Sequence, residues 1–126
     1  MAAREAGTAG QLKLPRLKHA SIRVEKISAY LLSPTHPVGR YKARFFESFG
    51  FARSGADVLM AALIEHARVN EVAAVEESRF GKRYTVDGPL QSPDGRSPSV
   101  RVIWFAEAEG DGPQFVTAYP LPKART

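Results

Sequence analysis

The sequence predicts an α+β domain in which N-terminal helices pack on one face of a four-stranded antiparallel sheet. Two observations predict it. Apolar residues recur at helical spacing up to Asn70 and alternate with polar ones after it. The alternating segments are joined by short turns rich in Gly, Pro and Asp, which favours pairing of each strand with the next. A chain of 126 residues, 44% hydrophobic and 25% charged, has room for one core.

Residues 1–21 lack sustained periodicity and read as a basic, flexible arm, with Leu12, Leu14 and Leu17 able to lie against the body. The domain proper is expected over 22–122, followed by a tail at 123–126. From Val24 to Leu32, the spacing of Ile27, Tyr30 and Leu31 predicts a short helix that Ser33-Pro34 ends. Pro34-Thr35-His36-Pro37-Val38-Gly39 reads as a rigid loop, because two prolines fix φ and the glycine permits a sharp exit. Tyr41 to Phe49 is a second helix whose Phe45, Phe46 and Phe49 form an apolar stripe, with Gly50 placed as its left-handed C-terminal residue. Asp57 to Val69 is a third, its broad apolar face built from Leu59, Met60, Leu63 and Ile64, with Asn70 as its stop.

Period two then predicts strands over Val72–Glu77, Lys82–Leu90, Val100–Ala106 and Gln114–Tyr119. Their connections, at Phe80-Gly81, Ser92-Pro93-Asp94-Gly95 and Gly110-Asp111-Gly112-Pro113, make the sheet a meander. Helices covering one face leave the other open to a ligand.

Composition narrows the function classes. The absence of cysteine excludes disulfides, thiolate metal sites and cysteine nucleophiles. No apolar run reaches the ~20 residues of a membrane span, and the first twenty residues lack the apolar stretch of a secretory signal, so a cytoplasmic protein without membrane partners is expected. The net charge of +5 invites a nucleic-acid reading. However, Arg4, Lys13, Arg16 and Lys18 against Glu5 place three of those five charges in the first twenty residues, so local clusters must carry the case. The glycines sit at turns instead of forming a phosphate loop between strand and helix, which sets aside nucleotide cofactors. His19, His36 and His66 are too far apart in sequence for a histidine metal motif, so neither a metal nor a cofactor is expected.

Cleaving RNA without a metal needs a group to deprotonate the 2′-hydroxyl, one to protonate the leaving oxygen, and cations around the phosphorane. Suitable residue types occur at Lys26, across His36 to Lys42, and at Thr117 and Tyr119. His36, in its proline-bounded loop, is the natural proton-transfer candidate, with a plain surface histidine as the alternative. Lys26 and Lys42 suit a phosphate, although lysines on helices are usually solvated. Thr117 and Tyr119 alternate with Val116 and Ala118 and share one face of the last strand. Arg40, Arg96 and Arg101 add candidate RNA-phosphate contacts. Trp104 and Phe115 belong to the core, and His66, between apolar positions, reads as a hydrogen-bonded core histidine.

Several stretches together resemble a bacterial domain family of unnamed function: Glu25-Lys26-Ile27-Ser28-Ala29-Tyr30-Leu31-Leu32, His36-Pro37-Val38-Gly39, Lys42-Ala43-Arg44-Phe45-Phe46, Gly50-Phe51, Tyr84-Thr85-Val86-Asp87-Gly88-Pro89-Leu90, Val102-Ile103-Trp104 and Val116-Thr117-Ala118-Tyr119-Pro120. That family occurs alone and at the ends of polymorphic toxins, and it is remotely similar to the superfamily of RNase toxins that includes barnase, RelE and the colicin-type tRNases. The resemblance implies helices before a four-stranded antiparallel sheet, with active residues drawn from Lys, His, Arg, Thr and Tyr. Carried over by position, it supports Lys26, His36, Lys42, Thr117 and Tyr119 as the catalytic set. It also implies a toxin–antitoxin or contact-dependent setting, with a cognate antitoxin or immunity protein as partner and cellular RNA, tRNA among the candidates, as target. A non-catalytic antitoxin or an RNA- or protein-binding module of such a system is the competing expectation.

Overall fold

Residues 13–121, apart from Pro34 and Val38, are described by the computed structural model. Residues 1–12 of the expected arm, Pro34 and Val38 of the expected loop, and the tail with Pro122 lie outside the described residues.

Among the described residues, three helices, besides two short 3-10 turns, precede the sheet and bury apolar residues against it. Helix α1 opens as an α-turn at Val24–Lys26 and continues as a π-helix over Ile27–Leu31. The amide of Leu32 donates to the Ile27 carbonyl at 2.8 Å, the i to i+5 bond of a widened turn. Where the sequence predicts an ordinary α-helix, the π turn has a physical reason. It sets residues i+4 and i+5 on either side of residue i, so Ile27, Leu31 and Leu32 all reach full burial. Helix α2 spans Gly39–Glu47 and helix α3 spans Ala56–Val69. Both begin slightly earlier than the apolar stripes suggest, because a helix's first turn need not carry core residues. Gly50 takes φ +102° just after α2, the left-handed conformation that glycine adopts without steric cost. Asn70 ends α3: its backbone and side-chain amides both donate to the His66 carbonyl, and the side chain also donates to the Pro89 carbonyl.

The sheet is an antiparallel meander in the order β1 Val72–Ser78, β2 Gly81–Pro89, β3 Ser99–Glu107, β4 Gln114–Pro120. Its covered face carries Tyr84, Val86, Val100, Val102, Trp104, Phe115 and Ala118, which join Leu31, Phe46, Leu59 and Leu63 of the helices in one core. Full burial of each large apolar side chain contributes about 1.5–3 kcal/mol. Strand β2 buries the alternate residues Tyr84 and Val86, β3 buries Val102, Ile103 and Trp104 in succession, and β1 buries only Val72. His66 sits in this core, its Nε2 at 3.0 Å from the Val100 carbonyl and 3.1 Å from that of Gly88.

The other face follows from register. Thr117 pairs with Ile103, which pairs with Thr85; Tyr119 pairs with Arg101, which pairs with Asp87. Between β3 and β4 the register shifts at Val116, the extra residue of a bulge.

The described part of the segment before α1 makes contacts of its own with the domain. From Lys13 onward it packs on the body. Leu14 is buried in the core, and the Arg16 guanidinium donates to the Gly110 and Asp111 carbonyls. Ser21 forms a parallel bridge to Gln114, its amide donating to Pro113 and its carbonyl accepting from Phe115. The leucines in this stretch supply apolar area, and its cations satisfy chain carbonyls, so the basic composition does not keep it in solvent.

Candidate functional site

Strand β4 is an edge strand, and α1 and α2 bring their polar residues to it. The π turn that buries Ile27 and Leu31 leaves Lys26 and Tyr30 on the side facing β4. On α2, Ala43 and Phe46 go to the core, which turns Lys42 toward the same edge. The Lys42 ammonium donates to the Tyr30 hydroxyl at 2.7 Å and to the Thr117 hydroxyl at 2.9 Å. It also stands 4.9 Å from the centroid of the Tyr30 ring and 5.5 Å from that of Tyr119. His36, held in its loop by a bond from its amide to the Ser33 hydroxyl, sets its ring edge-on to Tyr30 at 4.9 Å between centroids.

The five residues singled out as catalytic candidates therefore border one locality. Lys26 enters it differently from the rest: its ammonium donates to the Val116 carbonyl at 3.2 Å. Because Val116 is the bulge residue, Lys26 satisfies an edge carbonyl that the irregular register leaves outside the ladder. Lys26 thereby fixes the strand just before Thr117.

Arg101 lies on the open face beside Tyr119, but its guanidinium is held by both oxygens of Asp87 at 2.8 and 2.9 Å. The Asp87 carboxylate, and after it the Tyr119 hydroxyl, raise its pKa further above the ordinary guanidinium value. Arg40 folds back on its neighbour, donating to the Tyr41 hydroxyl at 2.9 Å. Arg96 is bound to Asp94 and to the Ser48 carbonyl and lies over Phe49, beyond the C-terminal end of α2. The three arginines thus do not converge as a set on Lys42.

Tyr30 is the residue that sequence reasoning assigned to the apolar stripe and the structure places at the centre of the site. It follows Lys26 by four positions, so the pair shares a helix face, and that spacing was the one signal available. Burial pushes the Tyr30 phenol up, but the Lys42 ammonium, the Thr117 hydroxyl and the charge of Lys26 together outweigh it and hold the phenol below its ordinary range. Beside Tyr30 a concavity of about 480 Å³ is lined by Arg23, Glu25, Lys26, Tyr30, Val116 and Thr117. A second of about 410 Å³ continues from it past Arg23, Lys26 and Val116 to Ser21, Phe105 and Gln114. Together they make a groove along β4 with cations on its wall. Among the described residues, no cluster of three or more His, Asp or Glu side chains is placed to hold a metal ion, and no helix is long and apolar enough to cross a membrane.

Fold and site define a small α+β domain with a lysine, two tyrosines, a histidine and a threonine gathered on the edge strand of a four-stranded meander. The chain belongs to the family described as a domain of unknown function (DUF6883), whose model matches residues 13–122. A chain of the contact-dependent growth inhibition toxin–immunity protein complex from Klebsiella pneumoniae 342 has a similar structure. It gives a TM-score of 0.63 at 16% sequence identity, with 79% of this chain and 98% of that chain covered. No curated protein matches the sequence.

Proposed function

We propose that this protein is a ribonuclease toxin of a toxin–antitoxin or contact-dependent system. It would act on cellular RNA in the cytoplasm and be neutralised by a cognate antitoxin or immunity protein. The observation that carries the reading is the meeting of Lys42 with Tyr30 and Thr117, with His36 edge-on to Tyr30. A cation, a hydroxyl donor and proton-transfer groups at one point are what cleavage by the neighbouring 2′-hydroxyl requires. These groups are cationic or hydroxylic, a set suited to a phosphate and unlike the carboxylates that hold magnesium. The likeness in fold to a chain of a toxin–immunity complex supports the biological setting.

In this mechanism the phosphate lies beside Lys42 and Thr117, the first neutralising the charge that develops on the non-bridging oxygens and the second donating to one of them. His36 serves as acid or base, and Tyr119 bounds the site from the sheet. The 2′-oxygen forms a bond to phosphorus as the bond to the 5′-oxygen breaks, leaving a 2′,3′-cyclic phosphate and a 5′-hydroxyl. The groove past Arg23 and Lys26 would take the flanking backbone.

Purified protein incubated with total bacterial RNA in EDTA, beside His36→Ala and Lys42→Ala variants of verified fold, tests this directly. Discrete new ends carrying 2′,3′-cyclic phosphate, absent with the variants, are expected. A second reading, a binding module or immunity protein, is favoured by the same structural likeness, because that complex contains both kinds of protein. Intact RNA, together with salt-sensitive binding that Lys42→Ala weakens, would select it instead.

A further inference from the structure

We infer that Tyr30 is the general base of the site, taking the proton of the attacking 2′-hydroxyl, which assigns His36 to the acid role. This rests on the ribonuclease reading above and decides what that reading left open. Three independent features of the structure point to Tyr30. The first is its local backbone: α1 leaves α geometry over Ile27–Leu31, and that π turn buries Ile27 and Leu31 while carrying the Tyr30 hydroxyl to Lys42, beside Thr117 of β4. Such turns often occur where a helix must deliver a side chain to a functional site.

The second is its principal partner. An ammonium 2.7 Å from a phenol oxygen favours the phenolate, since the bond becomes charge-assisted when the proton leaves. The lowered phenol pKa agrees with this geometry. The third is the arrangement of the other groups. Lys42 is shared between Tyr30 and Thr117, so a phosphate oxygen on the Lys42–Thr117 side would place the adjoining ribose toward the phenol. His36 stands edge-on to the Tyr30 ring, 4.9 Å between centroids, so a second proton-transfer group lies within reach of the same phosphate.

The proton balance is simple. The Tyr30 phenolate accepts the 2′-hydroxyl proton as the 2′-oxygen attacks phosphorus. The 5′-oxygen leaves with the proton of the protonated His36 imidazole. Solvent then returns Tyr30 and His36 to their starting states, and no oxidant, reductant or further reactant is needed. The rate should therefore rise with pH through the titration of Tyr30. That titration is set by burial, which raises it, and by Lys42 on α2, Thr117 on β4 and Lys26 on its own helix, which lower it. His36 in the following loop and Tyr119 on β4 also face the site, with the Arg101–Asp87 pair behind Tyr119.

The test uses the full chain and a short RNA spanning a mapped cut site, made with oxygen or with sulfur at the 5′ leaving position. Sulfur leaves without protonation, so it relieves the need for an acid and not for a base. Tyr30→Phe and His36→Ala are each expected to lose about 100-fold or more on the oxygen substrate. The sulfur substrate should return His36→Ala toward the wild-type rate and leave Tyr30→Phe slow. Rescue of Tyr30→Phe by sulfur, or its undiminished rate on oxygen, would overturn the assignment of Tyr30 while the ribonuclease reading stands. Failure of the wild-type chain to cut any RNA class would overturn both. Site-specific 3-fluorotyrosine at position 30 keeps the shape of the ring, and it should move the acidic limb of the pH–rate profile to lower pH. An unmoved limb would count against the assignment even if Tyr30→Phe proves unstable.

Discussion

The Lys42 ammonium donates to the Thr117 hydroxyl at 2.9 Å, joining a residue near the start of α2 to the last strand of the sheet across 75 positions of sequence. The bond fixes the distance between a cation and a hydroxyl on an otherwise open strand edge. It sets where an anion of the substrate can sit.

Lys42→Met should therefore slow RNA cleavage by about 100-fold, the usual effect of removing one preorganised donor from a developing oxyanion. Thr117→Val should cost less, because Lys42 would retain Tyr30 as its partner. Both variants should keep nearly the wild-type melting temperature, since Lys42 and Thr117 are only half-buried and water can replace the lost bonds. Initial rates on a defined RNA, together with thermal melts, check both parts.

Lys26 is expected to behave in the opposite way. Its bond to the Val116 carbonyl supports a bulged edge strand, so Lys26→Met should lower stability by about 1 kcal/mol. Activity should fall with the loss of order around Thr117, and Lys26→Arg, which can reach the same carbonyl, should restore much of both. Urea unfolding read beside cleavage rates separates this strand-supporting role from direct phosphate contact. A Lys26→Met protein of unchanged stability and lost activity would favour direct contact.

The acid sensitivity of the fold should come from His66. Burial lowers its pKa below the ordinary 6.5, and the bonds to Val100 and Gly88 and the charge of Asp87 only partly offset that. The sign follows: above pH 6.5 the ring is neutral in both states and the full stability is present. Below it the unfolded chain binds a proton that the buried ring does not, so stability falls as the pH is lowered until the folded ring titrates as well. Urea midpoints at about pH 7.5 and about pH 5 should show this loss, and His66→Leu should abolish most of the difference. The same substitution should lower stability at neutral pH by about 1–3 kcal/mol, because it removes the partner of the Val100 carbonyl in the core and of the part-buried Gly88 carbonyl.

Asp87→Asn should loosen Arg101 without unfolding the sheet. The bidentate pair is partly exposed and joins neighbouring positions of β2 and β3 that the ladder already aligns. Melting should shift by only a few degrees, as expected for about 1 kcal/mol. A freed Arg101 should tighten RNA binding and steepen its dependence on salt, measurable by titration with a labelled oligonucleotide at several ionic strengths.

Much of the architecture follows from the order of residues alone. Helical spacing at Ile27, Phe46, Leu59 and Leu63, and alternation through Val86, Val100, Val102 and Ala118, announce which side of each element is dry. Turn residues such as Gly50 and the Ser92-Pro93-Asp94-Gly95 stretch place the ends of elements, so strand limits were legible to within a residue or so. Tertiary structure decided three other things. It drew Leu14 fully into the core and packed Leu17 against it, a docking that the leucines of this stretch allowed but that no period located until a surface was there to receive them. It placed Tyr30 against Lys42, because the π turn is a response to packing and carries no local signature. It tied Arg96 to the Ser48 carbonyl and Arg101 to Asp87, since the distant partner of a long charged side chain depends on which strands and loops lie alongside it. Apolar burial is written along the chain as a pattern, whereas polar convergence is a property of distances that only the folded chain defines.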